Sequence, residues 1–273
     1  MPSNEMKKEV IRILGADINK GDVTSALLPA KKCKAIIKIN EDSIIAGVEE
    51  AKFLFESKGC KVKALAKDGQ TAKKRKAILE IEGNNKKILE TERTALNILG
   101  RMSGVANICN ETKKSIPNFR GKLALTRKTM PGFNLFDKKA AKIAGIYPHR
   151  INLNDMVLIK ENHLEFLNIA DALKNAKKNS KGKKVEIEVK NLKEALEAAK
   201  WNPDYIMLDN FNLRNARKTI EELRKKFSGK IELSGGINLK NLQEYAELQP
   251  DLISSGFLTK NAKMVDFSLD IKK

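Results

Sequence analysis

From residue 120 onward the chain alternates short apolar runs with stretches of helical period, and that alternation confines it to few architectures. Apolar runs near residues 123–126, 156–160, 185–189, 205–209, 231–234 and 252–255 predict strands. The amphipathic stretches near 136–144, 164–178, 192–201, 213–227 and 239–248 predict the helices between them. Such a repeat implies parallel strands joined by right-handed crossovers, either closed into a barrel or doubly wound.

The carboxyl ends of these strands carry the chemistry. In order they present Arg127 with Lys128, Lys160, Glu188, Asp209, Ser234-Gly235-Gly236 and Gly256. In α/β barrels this face holds the active site, and late βα loops often bind a phosphate. Two cationic ends, two acidic ends and two glycine-containing ends suit an anionic, phosphorylated substrate with a divalent metal. Each residue alone has a plainer reading. His149 would serve as a hydrogen-bonded structural histidine, Arg93 as a surface helix arginine, Glu188 with Lys190 as a salt-bridged strand end, and Ser234-Gly235-Gly236 as a turn.

Composition narrows the function classes. The net charge of +19 favours anionic partners, yet runs such as Lys73-Lys74-Arg75-Lys76 read as solvated segments. Aromatic residues are scarce and not interleaved with the basic ones, so nucleic-acid binding is not expected. Cys33, Cys60 and Cys109 form no Cys-x-x-Cys pair and read as reduced thiols of a cytoplasmic protein. With His149 and His163 the only histidines, a multi-histidine zinc site is excluded and any metal is oxygen-ligated. No apolar stretch approaches a membrane span, and neither a signal peptide nor a membrane anchor is expected.

Before residue 120 the βα regularity is absent. Helices near 6–14, 47–55, 88–99 and 105–114 mix with strands near 34–39, 62–66 and 77–81, which suggests a separate α+β layer domain. A helix-to-helix turn is expected at Met102-Ser103-Gly104. The expected domains are residues 1–103, joined by 261–273, and residues 104–260.

The ordered set Glu92-Arg93-Thr94-Ala95-Leu96-Asn97, Ser103-Gly104-Val105-Ala106, Thr126-Arg127-Lys128-Thr129-x-Pro131-Gly132, His149-Arg150, Leu158-Ile159-Lys160-Glu161-Asn162-His163, Glu186-x-Glu188-Val189, Leu208-Asp209-Asn210-Phe211 and Ser234-Gly235-Gly236-Ile237 resembles the quinolinate phosphoribosyltransferase family. The match in order and spacing runs from Gly21-Asp22-Val23-Thr24 to Phe267-Ser268-Leu269-Asp270. The resemblance implies an incomplete, TIM-like α/β barrel of parallel strands with an N-terminal α+β open-sandwich domain. It also implies transfer of phosphoribose from phosphoribosyl pyrophosphate to quinolinate with decarboxylation, giving nicotinate mononucleotide, pyrophosphate and CO2 in NAD biosynthesis.

Carried over residue by residue, the resemblance places Arg127, His149, Arg150 and Lys160 around the quinolinate carboxylates and turns Lys128 and Lys160 to the phosphoribosyl pyrophosphate. Glu188 and Asp209 take the ribose hydroxyls and Mg²⁺, while Ser234, Gly235, Gly236 and Gly256 cradle the 5′-phosphate, and Ser255 joins the substrate-binding set. Lys128, Lys160, Glu188 and Asp209 form the implied catalytic set. Arg93 resembles the arginine that enters the neighbouring subunit's site, which implies a homodimer or an assembly of dimers with shared active sites. The alternatives are a phosphoribosyltransferase for nicotinate or another aromatic carboxylate, and an inactive basic barrel that binds RNA. Three positions depart from the family pattern: Asn134 stands where an arginine is usual, Ala144-Gly145-Ile146 where a glycine triplet is usual, and Lys260 where a histidine is common. Losing two glycines is expected to redirect the loop before His149 by excluding positive φ.

Overall fold

The Ser3 hydroxyl accepts a hydrogen bond from the Met6 N–H and so starts the first helix, α1 (Asn4–Ile18), whose stripe of Met6, Val10 and Leu14 is buried. Asp22 caps α2 (Val23–Ala26) in the same way, taking the N–H groups of Thr24 and Ser25. The computed structural model describes residues 2–272. They continue through β1 (Lys32–Ile39), β2 (Ser43–Ile44), α3 (Val48–Ser57), β3 (Lys61–Ala64), β4 (Thr71–Ala72), β5 (Ala77–Asn84) and α4 (Asn85–Lys114). Next come β6 (Lys122–Leu125), α5 (Asn134–Ile143), β7 (Val157–Ile159), α6 (Glu161–Leu164), α7 (Ile169–Asn179), β8 (Val185–Val189) and α8 (Leu192–Ala199). The chain ends with β9 (Tyr205–Asp209), α9 (Leu213–Arg224), β10 (Lys230–Ser234), α10 (Leu242–Ala246), β11 (Leu252–Ser255), α11 (Phe257–Lys260) and β12 (Phe267–Lys272).

Two units emerge. The first comprises Met1–Asn110, Met130–Gly145 and Asn261–Lys273, the second Glu111–Thr129 and Ile146–Lys260. The first is built on a four-stranded antiparallel sheet in the order β12-β1-β5-β3, so the C-terminal segment supplies an edge strand beside β1. The helical segment α5, read from the sequence as part of the barrel repeat, groups with this first unit. A buried ion pair ties it there, beside the pairing of Lys139 with Glu49, Glu50 and Asp68. Arg101 on α4 donates to both carboxylate oxygens of Asp137 on α5, at 2.9 and 2.8 Å, and the pair is almost sealed from solvent. Removing one partner of such a pair typically costs about 3–5 kcal/mol.

The expected turn at Met102-Ser103-Gly104 does not exist. Helix α4 runs unbroken for 30 residues, and the expected domain boundary falls inside it. Ser103 and Gly104 serve packing instead. The buried Ser103 hydroxyl accepts from the Ala46 N–H at 3.0 Å and donates to the Ala46 carbonyl at 3.2 Å. A Cβ at Gly104 would lie 1.9 Å from the Lys263 carbonyl oxygen, so glycine is there to admit the C-terminal segment.

The second unit carries a six-stranded parallel sheet in the order β6-β11-β10-β9-β8-β7. Strands β6 and β7 end the order without pairing to each other, and Tyr147 forms a lone parallel bridge to Ala124 on β6. The sheet is therefore the expected incomplete α/β barrel. Asn168, Asn191 and Asn212 cap α7, α8 and α9 by accepting the N–H of Asp171, Glu194 and Asn215. The Asn168 cap also explains why the single helix expected over 164–178 is two, α6 and α7. On five of the six strands one parity lines a cavity: Leu158 and Lys160, Glu188, Met207 and Asp209, Glu232 and Ser234, and Ser254. The opposite parity, Ile187, Ile206, Leu208, Leu233 and Ile253, is buried and apolar.

Gly104 and Gly15 provide a paired test of close approach. In an exposed helix interior, Gly→Ala stabilises by about 1 kcal/mol, and a Cβ added to Gly15 on α1 would meet nothing within 4 Å. Gly15→Ala should therefore raise the urea midpoint, whereas Gly104→Ala should lower stability by about 1–3 kcal/mol through the backbone clash. Equal stabilisation by both would refute the packing role of Gly104.

Candidate active site

A cavity of about 440 Å³ opens at the carboxyl ends of the second unit's strands. Arg127 and Lys128 enter it from the end of β6, Lys160 from β7, Glu188 from β8, Asp209 from β9, and Ser234, Gly235 and Gly236 from β10. His149 and Arg150 come from the segment between α5 and β7. A larger cavity of about 860 Å³ lies beside α6, α7 and α8, but its lining includes Glu161, Glu165, Glu188, Glu194 and Glu197 against two lysines. That balance repels a polyanion, so the smaller cavity is the candidate site.

Its charges are unevenly paired. The Lys160 ammonium sits 2.5 Å from Glu188 Oε2, and Asp209 Oδ2 accepts from the Asn210 amide at 2.6 Å. Arg127 and Lys128 have no carboxylate partner among the described residues. Arg150 is buried, and burial first, then the neighbouring Arg127 charge, lower its pKa from the ordinary value. Cations crowded into a partly desolvated cleft lower their mutual repulsion when an anion enters.

The Ser-Gly-Gly loop is shaped by close approach. A Cβ on Gly235 would come within 2.4 Å of Asn210 Oδ1 and 2.5 Å of the Asn210 backbone nitrogen, and its φ of +87° also favours glycine. The loop backbone is therefore held against the end of β9, beside Asp209.

His149 stands on a floor of acid. Its backbone is left-handed at φ 55, an uncommon conformation that other interactions must hold in place. Its Nε2 lies 3.2 Å from both Glu232 Oε2 and Glu186 Oε2, and both glutamates are fully buried. The Glu232 approach has hydrogen-bond geometry, whereas Glu186 is at ion-pair distance only. Burial would lower the His149 pKa, but the hydrogen bonds and charges of Glu186 and Glu232 outweigh it and raise it to about 9. The Glu186 carboxyl is pushed up to about 7, by burial first and then by Glu232. The donor atoms of these three residues lie within 4.8 Å of one another, close enough to share a proton or to hold a metal ion.

The sequence reading did not single out Glu186 or Glu232 as functional. The available signal was a lone acid inside an apolar strand, in Val185-Glu186-Ile187 and Ile231-Glu232-Leu233. Ser255 and Gly256 do not line the cavity. The buried Ser255 hydroxyl donates to the Ile237 carbonyl at 2.5 Å and accepts from the Phe257 N–H, so it shapes the loop. A Cβ at Gly256 would stand 3.1 Å from Lys128 Cδ, so this glycine leaves room for the lysine stem. Arg93 is exposed on α4 and is not among the residues lining the cavity. His163 accepts the Lys160 N–H at its Nδ1 and so closes the start of α6. At the altered triplet, Ala144 has φ −78 and only Gly145 is left-handed, at φ 79, while Ile146 is buried. The two replaced glycines therefore impose no positive-φ strain.

Residues 22–103 match the family model for the N-terminal domain of quinolinate phosphoribosyl transferase, and residues 105–270 match that for its C-terminal domain. A probable nicotinate-nucleotide pyrophosphorylase (carboxylating) of Methanocaldococcus jannaschii is 43% identical over 265 residues, covering 93% of each chain. The nicotinate-nucleotide pyrophosphorylase (carboxylating) of Rattus norvegicus is 32% identical over 259 residues, covering 93% of this chain and 86% of its own. The solved nicotinate-nucleotide pyrophosphorylase from Francisella tularensis has a TM-score of 0.91 at 35% identity, covering 100% of this chain and 98% of its own.

The acid floor makes His149 titrate late. A histidine whose folded pKa is raised contributes stability that is complete below the unfolded value near 6.5 and is lost as pH rises through about 9. Imidazole NMR on this two-histidine chain should show one ring still charged at pH 8, absent in His149→Ala. The wild-type urea midpoint should fall between pH 7 and 9.5 more than that of the variant. A His149 ring neutral at pH 7 would contradict the assignment.

Proposed function

The chain belongs to the quinolinate phosphoribosyltransferase family, and on that premise we propose that it transfers phosphoribose from phosphoribosyl pyrophosphate to quinolinate with loss of CO2. The observation that carries the reading is the convergence of Arg127, Lys128, His149 and Arg150 on one cavity whose opposite rim bears Glu188 and Asp209. Such a cavity fits a substrate pair with several carboxylate and phosphate charges at one end and ribose hydroxyls at the other.

The residue types match the reaction. The ring nitrogen lone pair forms the bond to C1′ while the C1′–O bond breaks and its electrons leave on pyrophosphate. Arg127, Arg150 and His149 hold the two ring carboxylates, Arg by bidentate bonding, and so aim the nitrogen at C1′. Lys128 and Lys160 meet the charge that builds on the departing pyrophosphate. The Ser234-Gly235-Gly236 loop offers backbone N–H groups to the 5′-phosphate. The alkylated pyridinium then accepts the electron pair of the breaking C2–carboxylate bond, and a proton replaces CO2 at C2. This sequence requires no covalent nucleophile on the protein.

Mg²⁺ fits the donor set. Glu188 and Asp209 are hard oxygen donors at the ends of adjacent strands, and the bonds from Lys160 and Asn210 engage only one oxygen of each. Both residues also suit the ribose hydroxyls. When bound there, the ion would neutralise charge on the pyrophosphate. The three cysteines are free, in keeping with a reducing cytoplasmic setting, and no helix among the described residues is long and apolar enough to cross a membrane.

The deciding assay supplies Mg²⁺, phosphoribosyl pyrophosphate and either quinolinate or nicotinate. Quinolinate should yield nicotinate mononucleotide and CO2. Nicotinate should be turned over at least about 100-fold less well, because a monoacid leaves a desolvated cation unpaired at a cost of several kcal/mol. Equal turnover of nicotinate would overturn the substrate assignment.

Arg93 is exposed and is not one of the residues that line the cavity, which fits service to a partner's site in a homodimer. Arg93→Ala and Lys160→Ala should each be nearly inactive. Co-refolding them gives mixed dimers in which one of the two sites is intact, so activity should recover to about a quarter of wild type. No recovery in verified mixed dimers would confine Arg93 to its own chain or to the surface.

A further inference from the structure

The acids beneath His149 have no role in the reaction described above, yet they are the most deeply buried charges of the second unit. Glu186 and Glu232 are both 0% exposed. Both oxygens of Glu186 and Oε1 of Glu232 make no hydrogen bond among the described residues, so their satisfaction rests on the His149 ring. Stability alone does not call for this arrangement. A buried ion pair is often no better than apolar residues of the same volume, and an orphaned carboxylate oxygen is worse.

Geometry supplies the other reason. The side chains at 186 and 232 share the inward parity of their strands with Glu188 and Ser234, which line the cavity one step nearer its mouth. Both acids address the same ring atom, Nε2. The ring's other nitrogen, Nδ1, has no hydrogen-bond partner among the described residues, and His149 itself lines the cavity. An imidazolium held at Nε2 by carboxylates has its plane fixed and carries its second proton on Nδ1, which leaves that N–H aimed at a ligand.

We propose that Glu232, seconded by Glu186, is a positioning residue that anchors the His149 ring through Nε2 and so presents Nδ1–H to a carboxylate of the aromatic diacid. The inference rests on the quinolinate reading of the site. It deepens that reading by assigning substrate selectivity to two residues that act through the His149 ring. Because the phosphoribosyl pyrophosphate charges are met by other side chains, loss of the anchor weakens one substrate and spares the other.

The test is Glu232→Gln, which keeps the volume and removes the charge. The KM for quinolinate should rise about tenfold while the KM for phosphoribosyl pyrophosphate stays within about twofold. In a His149→Ala background the same substitution should add less than about twofold, since the anchor then has nothing to hold. Imidazole ¹⁵N spectra of the ligand-free protein should show His149 Nε2 protonated in a hydrogen bond that Glu232→Gln weakens. If Glu232→Gln does not fold, Glu186→Gln is carried through the same measurements.

Equal rises in both KM values, or an undiminished effect in the His149→Ala background, would overturn the proposal. So would a His149 ring signal indifferent to the substitution, or a transition metal retained stoichiometrically by the wild type and lost in the variant. The spectra need no substrate. A wild-type protein that ignores quinolinate but shows the anchored ring would sink the substrate reading while leaving the anchor established, and the converse result would do the reverse.

Discussion

Two carboxylates sealed inside a barrel cannot both remain charged without a cation between them, and in this chain that cation is His149. Glu186 and Glu232 occupy facing positions on β8 and β10, with β9 between them, and neither has solvent to share the burden. Burying an unpaired carboxylate costs many kcal/mol, enough that the group would take up a proton instead. The imidazole between them lets charge persist, and the same attraction holds His149 in its left-handed backbone conformation. A loop that would otherwise relax is thereby pinned at the rim of the cavity, bringing the adjacent Arg150 with it.

The barrel tolerates this polar centre because polarity rises along the strands. Near the strand starts, Ala124, Met156, Tyr205 and Leu252 form a buried apolar cluster with Tyr147 packed against it. One step on come Leu158, Glu186 and Glu232, and the next step reaches the rim with Lys160, Glu188, Asp209 and Ser234. Apolar residues on the outward parity provide the hydrophobic stabilisation, so the inward parity is free to carry chemistry. This division explains why the charged side chains that line the cavity gather at one end: only there can a charged group be both fixed by a strand and open to a ligand.

Much of this was legible in the sequence, for physical reasons that vary by residue. The strand–helix alternation revealed the parallel sheet because each βα unit repeats the same burial pattern, and the rim residues followed because strand ends are fixed by where apolar runs stop. Ser103-Gly104 misled because glycine has two uses. A turn and a close backbone approach leave the same letter, and only the Lys263 carbonyl, 159 residues away in the chain, distinguishes them. The grouping of α5 with the first unit was hidden for a similar reason, since Arg101 and Asp137 are 36 residues apart and neither looks unusual alone. Ser255 was legible as a strand-end hydroxyl but not as one already committed to Ile237.

The altered triplet shows how the two kinds of information combine. Sequence comparison treats Ala144-Gly145-Ile146 as the loss of two glycines, but the backbone requires left-handed φ only at Gly145. Ala144 closes α5 in an ordinary conformation, and Ile146 is buried just before Tyr147 bridges to β6. A buried isoleucine there lowers the conformational freedom of the segment that leads to His149 and adds apolar contact beside the barrel's lower layer. Ala144 and Ile146 thus narrow the backbone freedom of the segment that leads to His149.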